Sequence, residues 1–183
     1  QAMRLDPNSP RIFAGLSFLH WQRAFLDLTD DRAGELGRAF DFARQSISLD
    51  PLDPQGHWVL GRAHLLEGEF DASAAELQTA VDLNPNFAHA QYSRGFGITF
   101  DGSIEAGFEY VDQARRLSPY DPMTFAFLGL VAQFHAFQGN LDTAAMWAAR
   151  SVRQPNAHHH LLTIAAWIHE LAGDHEAALA YVA

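Results

Sequence analysis

Ten histidines stand in a chain of 183 residues, and three are consecutive: His158, His159 and His160, within "PNAHHHLLTIAAWIHE" (155–170). Imidazole is the commonest metal ligand and the side chain that titrates near neutral pH. The chemistry to weigh is therefore metal binding or acid–base catalysis. Successive residues of a helix point about 100° apart, so three adjacent histidines in a helix cannot all turn to one ion. "HELAGDH" (169–175) opens like a zinc-protease motif, whose second histidine must fall four residues after the first. Here that position is Gly173. His57 and His64 could share a helix face, but no carboxylate pattern completes a ligand set. Cysteine is absent, which removes thiol catalysis, disulfides and cysteine-ligated zinc. No phosphate loop, nucleophile elbow or dinucleotide fingerprint occurs. The sequence thus assigns no catalytic residue, no metal ligand and no cofactor, and it reads as a non-enzyme.

Charge narrows the partners. Lysine and arginine number 12 against 22 aspartates and glutamates, a net charge of −10. Such a surface repels phosphate backbones and anionic lipid, so neither nucleic acid nor membrane is an expected partner. No apolar run approaches the ~20 residues that span a bilayer. A cysteine-free chain fits the reducing cytoplasm. About half of the residues, 48%, are apolar, enough for a packed core.

The elements that carry these side chains are set by an internal repeat. Pro51, Pro85 and Pro119 are spaced by 34, as are Gly61, Gly95 and Gly129. Gly68 and Gly102 share that spacing, and so do Gly139 and Gly173. The prolines sit in matching contexts: "LDPLDP" (49–54), "LNPNFA" (83–88) and "LSPYDP" (117–122). A small residue in a first helix lets a second helix approach closely, and large apolar residues a turn away fill the space between. Proline ends the second helix and starts the next turn. Asp71 and Ser103 precede apolar runs and are expected to cap second helices.

A 34-residue period with this punctuation resembles the tetratricopeptide repeat. "HWVLGRAH" matches its first-helix pattern through His57, Leu60, Gly61 and His64, "FAFLGLVA" through Phe125, Leu128 and Gly129, and "FAGLSFLH" through Phe13, Leu16, Ser17 and His20. "QYSRGFGI" keeps Gly95 but has Arg94 in the leucine column, where a salt bridge to Glu105 or Glu109 is expected. Second helices align through Ala39, Ser73, Gly107, Ala144 and Ala178, with later small residues at Ser46, Ala80, Ala114 and Ser151. The resemblance implies an all-α fold: a right-handed α-solenoid of antiparallel helix pairs. Repeats are expected at 8–51, 52–85, 86–119, 120–155 and 156–183, with 1–7 as the end of a preceding repeat. The chain reads as a fragment of a longer protein.

Two departures stand out. The first repeat is ten residues over length, around "LDLTDDRAG" (26–34), as a longer first helix or a longer loop. The fourth separates Gly129 from Gly139 by ten residues where the others use seven, which predicts a first helix extended by about a turn. His158–His160 fall at the start of the fifth first helix, with at most one turned toward the groove.

First-helix side chains line the groove of such a solenoid. Counting from the landmarks places Phe18, Trp21, Trp58, Arg62, Tyr92, Phe96, Phe127, Phe134 and Trp167 there. The columns that hold the carboxylate clamp of some family members carry Ala14, Val59, Ser93 and Phe127, so that clamp is absent. The aromatic lining suits a protein or peptide partner presenting an apolar or amphipathic helix. A second weaker likeness is to the C-terminal region of bacterial class III adenylate or guanylate cyclases and winged-helix transcriptional regulators. It implies the alternative of a structural arm or homodimerisation module that controls an upstream effector domain. Exposure of Trp58, Tyr92 and Trp167 separates these readings: open rings favour an external ligand, buried rings favour the arm.

Overall fold

The computed structural model describes residues 8–182, with Asp101 described by its backbone alone. Among the described residues the chain forms ten α-helices, one short 3-10 turn and no strand. It divides into two compact units, residues 1–100 and 101–183. The expected end of a preceding repeat, residues 1–7, lies outside the described residues.

In the first unit, α1 (Pro10–Phe25) pairs with α2 (Arg32–Leu49), and α3 (Pro54–Glu67) pairs with α4 (Phe70–Leu83); α5 (Ala88–Ile98) opens the next pair. Each first helix also packs on the next, α1 on α3 and α3 on α5. Pro10 and Pro54 stand at helix starts, where their missing N–H is no loss. Gly61 shows why a small residue is needed in the first helix: a Cβ there would lie 2.7 Å from Cγ of Leu77 and 3.2 Å from its backbone nitrogen. Gly68 ends α3 at φ 86°, in the left-handed region that lets its N–H and that of Glu69 turn back on the last carbonyls.

Ser17 and Ser46 occupy two of the small-residue columns and tie helices together. Ser17 Oγ donates to the Ala39 carbonyl at 2.8 Å, and Ser46 Oγ to the Pro10 carbonyl at 2.8 Å. The ten-residue excess of the first repeat goes neither to one helix nor to the loop alone. α1 has 16 residues and α2 has 18, against 14 each in α3 and α4, and the connection 26–31 is longer than 68–69.

The second unit contains α6 (Ile104–Leu117), α7 (Thr124–Phe137), α8 (Leu141–Val152), α9 (His159–Leu171) and α10 (His175–Ala180). α7 packs on α6, α8 and α9, and α9 on α8 and α10. α7 is not extended: it has 14 residues, as α3 does. It begins closer to its glycine and runs further beyond it, so the extra residues shift the helix rather than lengthen it. Ser151 Oγ donates to the Phe125 carbonyl at 2.7 Å, sewing α8 to α7.

The caps differ from expectation. Asp71 lies inside the first turn of α4, whose cap position is Glu69. Ser103 does hold the cap position of α6, without a side-chain capping bond. His158 caps α9 in an extended conformation and His159 begins the helix. That extended residue turns the His158 ring back, so the three rings cluster, with His159 and His160 centroids 4.1 Å apart.

Candidate functional site

Six of the nine groove residues read from the sequence fall in the first unit. Four of them gather around a fifth, an arginine, with Phe96 beside Tyr92. Arg62, in the middle of α3, lays its guanidinium over the Trp21 ring at 3.8 Å from the centroid, with Phe18 at 5.6 Å and Trp58 at 5.7 Å. Guanidinium stacks on aromatic faces because it is planar, delocalised and weakly hydrated. Both indoles are held by hydrogen bonds: Trp21 Nε1 donates to the Arg62 carbonyl at 2.9 Å, and Trp58 Nε1 to Ser93 Oγ at 3.0 Å. Arg62 Nη1 donates to the same hydroxyl at 3.2 Å. Ser93 thus orients two of the cage residues.

Burial sets the electrostatics. Arg62 is only 8% exposed. Removal from water lowers its pKa to about 10, with Tyr92 acting the other way, and the side chain stays charged at neutral pH. The Tyr92 phenol is pushed up by burial, an effect the nearby arginine partly offsets. Trp58, at 7% exposure, is floor rather than rim, covered by Phe87 and His89 at 5.5 and 5.3 Å. Phe18, Tyr92 and Phe96 are half-buried and form the accessible border. Tyr92 and Phe96 lie parallel, and Phe96 leads to the exposed stack of Phe100 on Phe70.

The remaining three residues lie in the second unit, and two of them are closed to any ligand. Phe127 and Phe134 are 1% and 0% exposed, core side chains rather than groove lining. Their helix, α7, is mostly apolar and is buried at ten of its fourteen positions. Trp167 is 39% exposed and sits beside the exposed Phe137, rings 5.8 Å apart.

Several histidines pair with carboxylates. His57 Nδ1 meets Glu76 at 2.7 Å, joining α3 to α4, and His64 pairs with Glu69. His20 pairs with the buried Glu35, which also takes Arg23 and Arg38 at 3.1 Å each. The His20 hydrogen bond, opposed by burial and helped by Arg38 and Arg23, holds the Glu35 carboxyl below the usual carboxylate range. This cluster pins the lengthened α1–α2 pair. Arg94 donates to Gln78 at 3.3 Å within the first unit.

Ser93 was legible as a position without its role. It follows Trp58 by 35 residues, one beyond the repeat period, but a hydroxyl in that column looks like a small spacer.

No protein-family model matches the chain, and no curated protein matches it. Solved structures do. A chain of the APC/C hetero-tetramer Cut9–Hcn1 superposes with a TM-score of 0.75 at 14% identity, over 98% of this chain and 33% of that one. This chain therefore spans about a third of that neighbour. TTC0263, a thermophilic tetratricopeptide-repeat protein of Thermus thermophilus, superposes with a TM-score of 0.71 at 15% identity, covering 90% and 87%. YrrB, described as a tetratricopeptide-repeat protein with an unusual peptide-binding site, gives 0.54 at 17% identity, covering 99% and 87%. At these identities the likeness is one of fold. The fold is that of the tetratricopeptide solenoids, all-helical and built of paired helices. No helix among the described residues is long and apolar enough to cross a membrane.

Proposed function

We propose that the chain is a non-catalytic protein-interaction module whose first unit takes an apolar or amphipathic peptide segment on the first-helix face. The observation that carries this reading is the Arg62 cage with its half-buried border of Phe18, Tyr92 and Phe96. Aromatic and arginine side chains are those that concentrate binding energy at interfaces. Fold neighbours include a protein described as having a peptide-binding site, which supports the same reading. The finer setting is a cytoplasmic bacterial signalling or transcription-regulating protein, resting on the resemblance of the repeats to such regions.

The test is selection from a displayed random-peptide library by the 183-residue chain and by a Phe18→Ala, Tyr92→Ala double variant. Peptides enriched by the parent should be lost by the variant, while circular dichroism shows both folded. Equal enrichment by both would remove the binding surface from this face.

Burial of Trp58 by the chain itself favours the second reading, a regulatory or dimerising arm without an external peptide. Sedimentation at increasing concentration separates the two: the arm reading expects self-association, and the peptide reading a monomer that binds library peptides.

A further inference from the structure

Arginines in this chain find acids readily. Arg11, Arg23, Arg38, Arg44, Arg115 and Arg116 each lie within 4 Å of an aspartate or glutamate oxygen. Five of the six are exposed, and Arg115 is half-buried. Arg62, buried more deeply than any of them, has no carboxylate partner among the described residues. Its Nη1 donates to Ser93, and its Nε–H is buried with no acceptor. Twenty-two acidic residues were available to neutralise it. A buried charge without a counter-ion costs several kcal/mol, and ring stacking returns only part of that. Buried polar hydrogens in folded proteins are nearly always matched, and an unmatched one on a buried cation is a place where an acceptor from outside would be held.

We infer that Arg62 is a specificity position for a carboxylate, supplied by an aspartate or glutamate side chain of an otherwise apolar peptide laid across Phe18, Tyr92 and Phe96. This deepens the peptide-binding reading and rests on it. A carboxylate approaching side-on accepts from Nε and the neighbouring Nη2 together, the paired geometry that guanidinium favours. The depth at which the guanidinium is held selects the source. An acidic side chain reaches in on a thin methylene stem while its backbone stays on the aromatic border. A main-chain terminus would carry its backbone into the cage. The net charge of −10 repels strongly acidic partners at long range. A single acid set among apolar residues is therefore the fitting charge pattern.

The experiment follows on from the library selection. Selected peptides should carry one aspartate or glutamate between apolar residues. Changing that acid to its amide should weaken binding roughly ten- to hundredfold, as loss of a charge-assisted pair does. In Arg62→Met, which keeps the volume and the ring contacts, acid and amide peptides should bind alike. The Met variant should melt at or above the parent temperature, because it removes an uncompensated buried charge. If Arg62→Met does not fold, Arg62→Lys gives the reading. It keeps the charge without the fork and should retain only part of the acid preference.

Peptides enriched without acids would overturn the carboxylate assignment and leave the peptide reading standing. No enrichment of any peptide would overturn both. A lowered melting temperature in Arg62→Met with the acid preference intact would show Arg62 to be structural and overturn the assignment, and an undiminished preference in Arg62→Lys would overturn the paired guanidinium geometry.

Discussion

Arg62 in the first unit and Leu130 in the second hold the same place, one residue after the glycine of a first helix. Both are sealed from water. Arg62 is surrounded by rings, a hydroxyl and a half-open aromatic border. Leu130 belongs to a helix buried at ten of its fourteen positions. The scaffold therefore uses one column as plain core in one unit and as a held charge in the other. A first helix can serve a ligand only where its surroundings leave one side incompletely covered, and α7 has none to spare.

The most severe way to break this contrast is Leu130→Arg. It would place a charge in the second unit with neither the ring cage nor Ser93 to receive it. A loss of about 4 kcal/mol or more is expected, enough to abolish the cooperative melt. The reciprocal region tolerates the arginine only because the cage exists. A normal melt for Leu130→Arg would show that the cage around Arg62 is not required.

A second contrast lies in the glycines themselves. At Gly61 a Cβ would meet the Leu77 side chain at 2.7 Å and its backbone nitrogen at 3.2 Å, whereas at Gly129 the nearest atom is Ser151 Oγ at 3.2 Å. Gly61→Ala should cost roughly 1–3 kcal/mol by overpacking, and Gly129→Ala less. Paired urea titrations give the order. Reversal would mean that α3 and α4 can part more easily than the geometry indicates.

The smallest effects come with pH, and the two units respond in opposite directions. The depressed pKa of Glu35 supplies stability above its ordinary value of 4.5 that is lost as pH falls through the lower folded value. The pKa of His175 is raised, chiefly by its hydrogen bond to Glu170 at 2.8 Å. Its contribution is complete below 6.5 and is lost as pH rises through the higher folded value. Glu35→Gln should flatten the acid limb of a melting-temperature profile. Glu170→Gln should return the His175 proton-resonance titration to the ordinary value.

Pairing of helices was readable because Gly61 and Pro51 recur at equal spacing and each has a steric reason to do so. Facing was harder. Phe127 and Phe134 were assigned by counting along α7, but its few polar residues, Thr124, Gln133 and His135, form no single polar side to fix the phase of the count. The exposure of Trp58 was left open because its coverage comes from Phe87, in a connection, and from His89, outside the columns that were counted. Arg62 was visible as a groove residue, yet the lack of a counter-ion for it among the described residues is a fact of three dimensions. It depends on where twenty-two acids end up, which no local pattern records.

The lengthened α2 carries its own lesson about how such chains change in length. Its four added residues relative to α4 amount to about one turn of 3.6. The buried stripe of Leu36, Ala39, Ala43 and Ser46 therefore runs through it without losing phase. Insertions and deletions in a helix of this kind are tolerated in whole turns. An odd residue or two must be absorbed at a helix end, as in α1, or in a connection such as 26–31, where Asp27 already adopts a positive φ of 52°.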